Sequence, residues 1–350
     1  MLTTEPFLLN PHWAPGGPVK PRETEEVRQF HQSLPDYKVT PLVPLPSVAA
    51  TLDLGAVLVK DESLRLGLPA FKMLGASWAV HRALGSVDRD RRRLITATDG
   101  NHGRAVARMA ALLDLPATVV VPRDVSEGAI ALIRKEGAEV RVVDTPYDEA
   151  VREAALLAEA SPDALLVQDT SWPGYEDVPR WIVDGYATLF DEAADQAAKL
   201  GARIDLVVVP VGVGSLAHAA VLFSRSRPDC RVVAVEPRVA ACVRASLAAG
   251  ALTTVPTGDT SMAGLNCGTP SYLAWPDLER GLAGAVVVDE AAAADAIADL
   301  TALGVDSGPC GAASLAALRV LAAEPARSRL GLGPDSSVVL LNTEGSNAAG

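Results

Sequence analysis

The chain has 350 residues, of which 49% are hydrophobic, 21% charged and only 4% aromatic. This composition excludes a disordered chain, because enough apolar surface can be buried to offset the entropy of ordering, and the length predicts two domains or one large α/β unit. The formal net charge of −12 argues against binding to nucleic acid or to anionic membranes, since both are polyanions.

The first fifty residues are rich in proline and contain the strings PHWAPGGPVKP and PLVPLPSV. We interpret this segment as an extended arm laid over the body of the protein. Its beginning lacks the basic and apolar regions of a secretory signal, and no apolar run of the chain reaches the roughly 18 residues that span a bilayer. The sequence therefore predicts a cytoplasmic protein with no membrane partner.

After this arm, short β-branched runs alternate with longer segments of helical period, a pattern typical of parallel strands joined by helical crossovers. The predicted strands are residues 56–59, 93–97, 117–121, 139–143, 164–167, 205–209, 231–235, 285–288 and 337–341. The predicted helices include residues 103–113, 126–136, 147–160, 178–200 and 290–303. One small sheet cannot accommodate so many crossover connections. We therefore predict an α/β fold with two doubly wound, mostly parallel open sheets.

Ligands of α/β proteins bind at the carboxyl ends of strands, so the loops that leave the predicted strands form the candidate site. In the first of these loops, Lys72 begins a predicted helix just after Pro69 and Phe71. A lysine at a helix start is more commonly a solvated charge, but a helix N-terminus also favours its neutral form. A neutral amine can form an imine with an aldehyde cofactor.

Two further loops could bind anions through backbone amides. The loop TATDGNHG follows the strand 93–97 and contains Asp99, Asn101 and His102, a group that ordinary turn chemistry also explains. The string VVVPVGVGS predicts a strand and a Gly-rich turn before a helix, an arrangement in which backbone amides bind a phosphate. The candidate phosphate ligands are Gly212, Val213, Gly214 and Ser215.

The last two loops each carry a carboxylate. Asp169 follows the strand 164–167 in the string QDTSW, and Thr343 and Glu344 follow the strand 337–341 in the string NTEG. Each carboxylate alone is adequately explained as a cap or turn residue. The four cysteines and five histidines show no metal-ligand spacing, so we predict reduced thiols and no metal site.

Taken together, the loops carry a family resemblance. The strings KDES, FKMLG, TDGNHGRAVA, QDTSW, GVGS, MAGLNCGTPS and NTEG occur in this order from about residue 59 to 346. They resemble those of the diaminopropionate ammonia-lyases, within the tryptophan-synthase-β-like (fold type II) pyridoxal-phosphate enzymes. The resemblance implies pyridoxal 5'-phosphate as the cofactor. It also implies a large cofactor-binding domain, residues 1–84 and 172–350, with a smaller α/β domain, residues 85–171, inserted in it.

The resemblance implies a role for each candidate residue. Lys72 is expected to form the imine with the cofactor, Asn101 to contact the ring hydroxyl, Thr343 to face the pyridine nitrogen, and the segment 212–215 to bind the phosphate. A neutral hydroxyl partner leaves the ring nitrogen unprotonated, which favours β-elimination over transamination.

The two aspartates, Asp99 and Asp169, are implied as catalytic bases. A carboxylate can remove an acidified α-proton if burial raises its pKa towards neutrality. Two carboxylates on opposite faces could serve both enantiomers of the substrate. They could also recognise the second, cationic amino group of 2,3-diaminopropionate.

We therefore predict a pyridoxal-phosphate-dependent carbon–nitrogen lyase that eliminates ammonia from D- or L-2,3-diaminopropionate and gives pyruvate and ammonia. One alternative on the same scaffold is a serine or threonine dehydratase, or an amino-acid racemase. An alternative of another class is a small-molecule binding or regulatory protein that keeps the fold without the cofactor. The expected assembly is a homodimer, the most frequent assembly of such enzymes.

Overall fold

The computed structural model describes residues 5–14, 16, 24–86, 93–98 and 100–348. The strands within these residues are β1 (Phe7–Leu9), β2 (Leu42–Pro44), β3 (Ala56–Asp61), β4 (Arg93–Ala97), β5 (Ala117–Pro122), β6 (Glu139–Val143), β7 (Ala164–Leu166), β8 (Leu206–Pro210), β9 (Arg231–Pro237), β10 (Gly284–Val288) and β11 (Ser337–Asn342). The α-helices of the same residues are α1 (Thr24–Ser33), α2 (Pro46–Thr51), α3 (Lys72–Ser86), α4 (Asn101–Leu112), α5 (Glu127–Lys135), α6 (Tyr147–Glu159), α7 (Asp177–Gly185), α8 (Ala187–Lys199), α9 (Ser215–Ser224), α10 (Cys242–Ala249), α11 (Trp275–Gly281), α12 (Glu290–Ala302), α13 (Pro309–Leu321) and α14 (Ala326–Leu330). Within this described set, no helix combines the length and the apolar character needed to cross a bilayer.

The strands form two sheets. Seven of them form the larger sheet in the order β1-β10-β9-β8-β11-β3-β2, and four form the smaller sheet in the order β6-β5-β4-β7. Every pairing in the two sheets is parallel except at the two edges of the larger one, where β1 joins β10 and β2 joins β3 in antiparallel fashion. The predicted α/β fold with two mostly parallel open sheets is confirmed.

The larger sheet is covered by apolar side chains on both faces. In β8, Val207 and Val209 belong to the apolar cluster that includes residues of α9, whereas Leu206 and Val208 belong to the cluster that includes residues of α13. Successive side chains of a strand point to opposite faces, so a strand that is covered on both must be apolar throughout. This explains the uninterrupted apolar run that predicted β8.

Two predictions about individual segments are wrong. The described part of the N-terminal fifty residues is not only an extended arm, because it contains β1, α1, β2 and most of α2. Strands of three residues are too short for their alternation to be recognised in sequence. The predicted helix 178–200 is two helices, α7 and α8, separated by a tight turn in which Leu189 N donates to Tyr186 O at 3.2 Å.

The assignment of the strands to two sheets supports the proposed division into two domains. The four strands of the smaller sheet lie between residues 93 and 166, and the strands of the larger sheet precede or follow them along the chain. The boundaries after residues 84 and 171 stay a proposal.

Candidate active site

The candidate residues that the structure describes meet at one cavity, which encloses about 700 Å³ together with its mouth. Its lining comes largely from segments that follow the carboxyl ends of β3, β4, β7, β8 and β11. The predicted site residues in this lining are Lys72, Asn101, Asp169, Gly212, Val213, Gly214, Ser215 and Thr343. Asp99 lies outside the described residues. Among the described residues, no group of three or more His, Cys, Asp or Glu side chains could hold a metal ion.

Lys72 and Asp169 form an ion pair in the cavity, with 2.5 Å between Nζ and Oδ2. Lys72 is the first residue of α3, and the preceding amide of Phe71 donates to Thr343 O at 3.2 Å, which ties the helix start to the end of β11. Burial lowers the pKa of Lys72, but Asp169, Tyr186 and Cys267 together raise it by more, and the net pKa lies above its ordinary value. The expectation of a neutral Lys72 is therefore wrong for this arrangement, because a full negative charge in contact outweighs the partial charge of a helix end.

Asp169 follows β7 and is held through both carboxylate oxygens. Oδ1 accepts from Tyr147 OH at 3.4 Å and from Gln168 Nε2 at 3.3 Å, while Oδ2 faces Lys72. Burial raises the pKa of Asp169, but Lys72, His102 and Tyr147 together lower it by more, so the net pKa lies below its usual range. Burial thus does not bring this carboxylate towards neutrality while the lysine ammonium is in contact with it.

The segment 212–215 connects β8 to α9 and has the geometry of an anion site. Gly214 caps α9 with a φ of +99°, and a Cβ there would come within 2.8 Å of the Leu278 side chain. A Cβ on Gly212 would come within 2.8 Å of Gly264 O. The first amides of a helix have no intrahelical partner and attract anions. The segment therefore fits the phosphate of the expected cofactor.

Replacement of Gly214 by valine should weaken cofactor retention by about tenfold or more, the loss that accompanies one missing charge-assisted hydrogen bond. The measurement is the fraction of cofactor kept through dialysis, beside the free energy of unfolding. Gly201→Val is the matched control, since Gly201 also has a positive φ of +69° but lies away from the cavity. Equal retention in the two variants would mean that the phosphate binds elsewhere.

Thr343 and Glu344 follow β11 and face different partners. Thr343 Oγ1 is buried and has no hydrogen-bond partner among the described residues, as expected of a hydroxyl that contacts a bound group. Glu344 accepts from Asn101 Nδ2 at 2.7 Å and from Cys310 N at 3.1 Å, and burial raises its pKa. Glu344 thus orients Asn101, while Thr343 leaves a hydroxyl available to the cofactor ring.

The sequence analysis missed part of the cavity lining. Tyr147 begins α6 just after β6, so the strand-end rule that located the other loops would have found it if applied to every strand of the smaller sheet. Cys267 and Cys310 also line the cavity. Cys267 lies in the string MAGLNCGTPS and Cys310 at the start of α13, and neither directly follows a strand, so the strand-end rule does not locate them.

Comparisons with known proteins identify the family of the chain. The family model described as "Pyridoxal-phosphate dependent enzyme" matches residues 34–344. A diaminopropionate ammonia-lyase of Salmonella typhimurium is 35% identical over 91% of this chain and 88% of its own length. The structure of the Escherichia coli diaminopropionate ammonia-lyase, in complex with an aminoacrylate-PLP azomethine reaction intermediate, matches with a TM-score of 0.89 and 32% identity, over 97% of this chain and 94% of that one. A biosynthetic L-threonine dehydratase of Escherichia coli is 34% identical over 61% of this chain and 38% of its own length. The chain belongs to the family of pyridoxal-phosphate-dependent enzymes.

Proposed function

We propose that the protein eliminates ammonia from 2,3-diaminopropionate and gives pyruvate and ammonia, with pyridoxal 5'-phosphate as its cofactor. The observation that carries this proposal is the cavity that brings together Lys72, Asp169, the anion site and the Thr343 hydroxyl, which has no hydrogen-bond partner among the described residues. At comparable sequence identity, the diaminopropionate ammonia-lyases match 91% of the chain, whereas the biosynthetic threonine dehydratase matches 61% of it. The dehydratase and racemase alternatives are therefore less supported.

Each part of the cofactor has a proposed partner in the chain. When bound, pyridoxal phosphate supplies an electron-withdrawing ring that stabilises negative charge at the α-carbon of an amino acid. Lys72 holds the aldehyde covalently, and the amides of residues 212–215 hold the phosphate. Thr343 Oγ1 contacts the ring nitrogen, and Asn101 contacts the ring hydroxyl.

Other side chains move the protons. Whenever Lys72 is a neutral amine rather than an ammonium, it no longer lowers the pKa of Asp169, and burial then raises that pKa. We assign removal of the α-proton to Asp169 and Asp99, one for each enantiomer. The β-ammonium group departs as neutral ammonia with the electron pair of the carbon–nitrogen bond, so Lys72, released by the incoming substrate amine, supplies a proton only to a β-amino group that is bound in its neutral form.

The proposal also includes a homodimer and a cytoplasmic location. Twofold dimers are the commonest assemblies of globular proteins, which supports the first. The four cysteines are buried and none of them forms a disulfide, as is usual in compartments where thiols stay reduced, which supports the second.

The visible spectrum of the purified protein tests the proposed function. We expect an absorption band from the bound cofactor that changes on addition of 2,3-diaminopropionate, with release of pyruvate and twice as much ammonia. Serine and threonine should react more slowly, because neither brings a second cationic group to the buried carboxylate. A faster reaction with serine or threonine would favour the dehydratase alternative, and the absence of any band would favour a binding protein without cofactor.

A further inference from the structure

One ring nitrogen of His102 has no hydrogen-bond partner among the described residues. The side chain belongs to the first turn of α4, lines the cavity and is only 4% exposed. Its Nε2 lies 2.8 Å from Val167 O, and because a carbonyl only accepts, this nitrogen carries the proton. Its Nδ1 is buried and has no partner among the described residues. In this tautomer Nδ1 is therefore an acceptor that lacks a donor.

The unused nitrogen faces a second acceptor. His102 Nδ1 lies 3.9 Å from Asp169 Oδ2, so the two atoms cannot bond to each other but can share a donor placed between them. Burial lowers the pKa of His102, and the nearby Lys72 ammonium lowers it further against the opposing effect of Asp169. The ring therefore stays neutral, and the pair offers one negative charge and one neutral acceptor.

An ammonium group matches this pair better than a hydroxyl. It carries several N–H donors and a positive charge, and hydrogen bonds between charged groups are roughly twice as strong as those between neutral ones. Lys72 supplies such an ammonium to Asp169 in the structure. When Lys72 is attached covalently to the cofactor, that charge is withdrawn and Asp169 is left buried without it.

We propose that His102 Nδ1 and the Asp169 carboxylate together bind the β-ammonium group of the substrate, and that His102 is a specificity-determining residue for diamino acids over β-hydroxy amino acids. This inference rests on the proposed function and extends it to a subsite. A serine hydroxyl has one hydrogen to donate and no charge, so it can satisfy only one member of the pair.

Two substitutions separate this role from a purely structural one. His102→Gln places an amide nitrogen near the position of Nε2, which preserves the donor to Val167 O but removes the acceptor at Nδ1. His102→Asn places an oxygen near the position of Nδ1 and loses the bond to Val167 O. A structural role predicts more damage from the second variant, and a role of Nδ1 predicts a greater loss of selectivity from the first.

The holoenzyme and its variants are compared by kcat/KM for 2,3-diaminopropionate and for L-serine. His102→Gln should lower the value for diaminopropionate by about 10- to 100-fold and the value for serine by much less, as expected for one hydrogen bond to a charged group. His102→Asn should keep the ratio of the two values near that of the parent. His218→Gln is the matched control, because His218 is buried with an unpaired Nδ1 but lies outside the cavity, and its ratio should not change.

The protonation of the ring provides a readout that does not depend on turnover. Nitrogen NMR of the resting holoenzyme should show His102 with an unprotonated Nδ1 and a protonated Nε2. A protonated Nδ1, or equal losses for both substrates in His102→Gln, would overturn the inference. A parent enzyme that releases no ammonia from diaminopropionate but shows the expected tautomer would instead refute the proposed function, and the substrate subsite with it.

Discussion

Lys72→Ala should abolish turnover, with a fall in kcat on the order of 10³-fold or more, because loss of an enzyme's covalent nucleophile commonly costs at least that much. The substitution removes the amine that holds the cofactor and also leaves the buried Asp169 carboxylate without its ammonium partner. Steady-state kinetics give the size of the loss. Borohydride reduction of the parent followed by peptide mapping should place the pyridoxyl group on Lys72.

Lys135→Ala is the control for this result, because Lys135 is exposed at the end of α5 and should be dispensable for both turnover and labelling. Lys60 is a poor competitor for the cofactor although it is buried. Its Nζ lies 2.8 Å from Glu192 Oε2, and it does not line the cavity. A pyridoxyl group on Lys60 or Lys135 in the parent would contradict the assignment of Lys72.

Asp99→Asn and Asp169→Asn should damage the two enantiomers of diaminopropionate unequally. Each variant should lose about 10²- to 10⁴-fold in kcat/KM for the enantiomer whose α-proton faces its own carboxylate, since a positioned base contributes that much. The reason is geometric, because a planar cofactor adduct has two faces and one base reaches only one of them. Activity on L-serine, which lacks the β-ammonium group, should fall less than activity on diaminopropionate.

Asp148→Asn provides the matched control for these variants. Asp148 is half-buried at the start of α6, where it accepts from Thr269 Oγ1 at 3.3 Å, but it does not line the cavity. Its substitution should leave the ratio of the two enantiomers unchanged. Equal losses on both enantiomers in both active-site variants would refute the two-face arrangement and return Asp99 and Asp169 to electrostatic or structural roles.

The position of the site could be predicted from sequence because its parts are local signals. A Gly-rich turn between an apolar strand and a helix is read from consecutive residues, and it placed Gly214 at the start of α9. Parallel strands of one sheet bring their carboxyl ends to one edge, so Gly212 and Thr343, which follow the neighbouring strands β8 and β11, were expected together. The resemblance then supplied the roles that the loops alone left open.

The ionisation of the site could not be predicted in the same way. The contact between Lys72 and Asp169 depends on how the smaller sheet sits beside α3, which no local pattern encodes.

A cluster of buried charges was equally hidden in the sequence. The charged string KDESLR is typical of an exposed loop, yet Lys60, Glu62 and Arg65 are fully buried. Arg65 Nη2 bonds Glu62 Oε1 at 2.6 Å and Glu192 Oε2 at 2.7 Å, and Glu192 comes from α8, far along the chain. Buried charges of this kind are stable only when such partners surround them.

The two short edge strands protect the larger sheet from pairing with other molecules. Without β1 and β2, the sheet would end in β10 and β3, longer strands whose unpaired backbone groups are a template for aggregation. The strands that cover them have three residues each, and Pro44 in β2 has no amide to donate, so the edges that remain are poor templates. Because residues 7–9 of β1 pair with residues 284–286 of β10, this protection is complete only after two segments that are far apart in sequence have met. A chain still being synthesised passes through that vulnerable stage before its catalytic cavity exists.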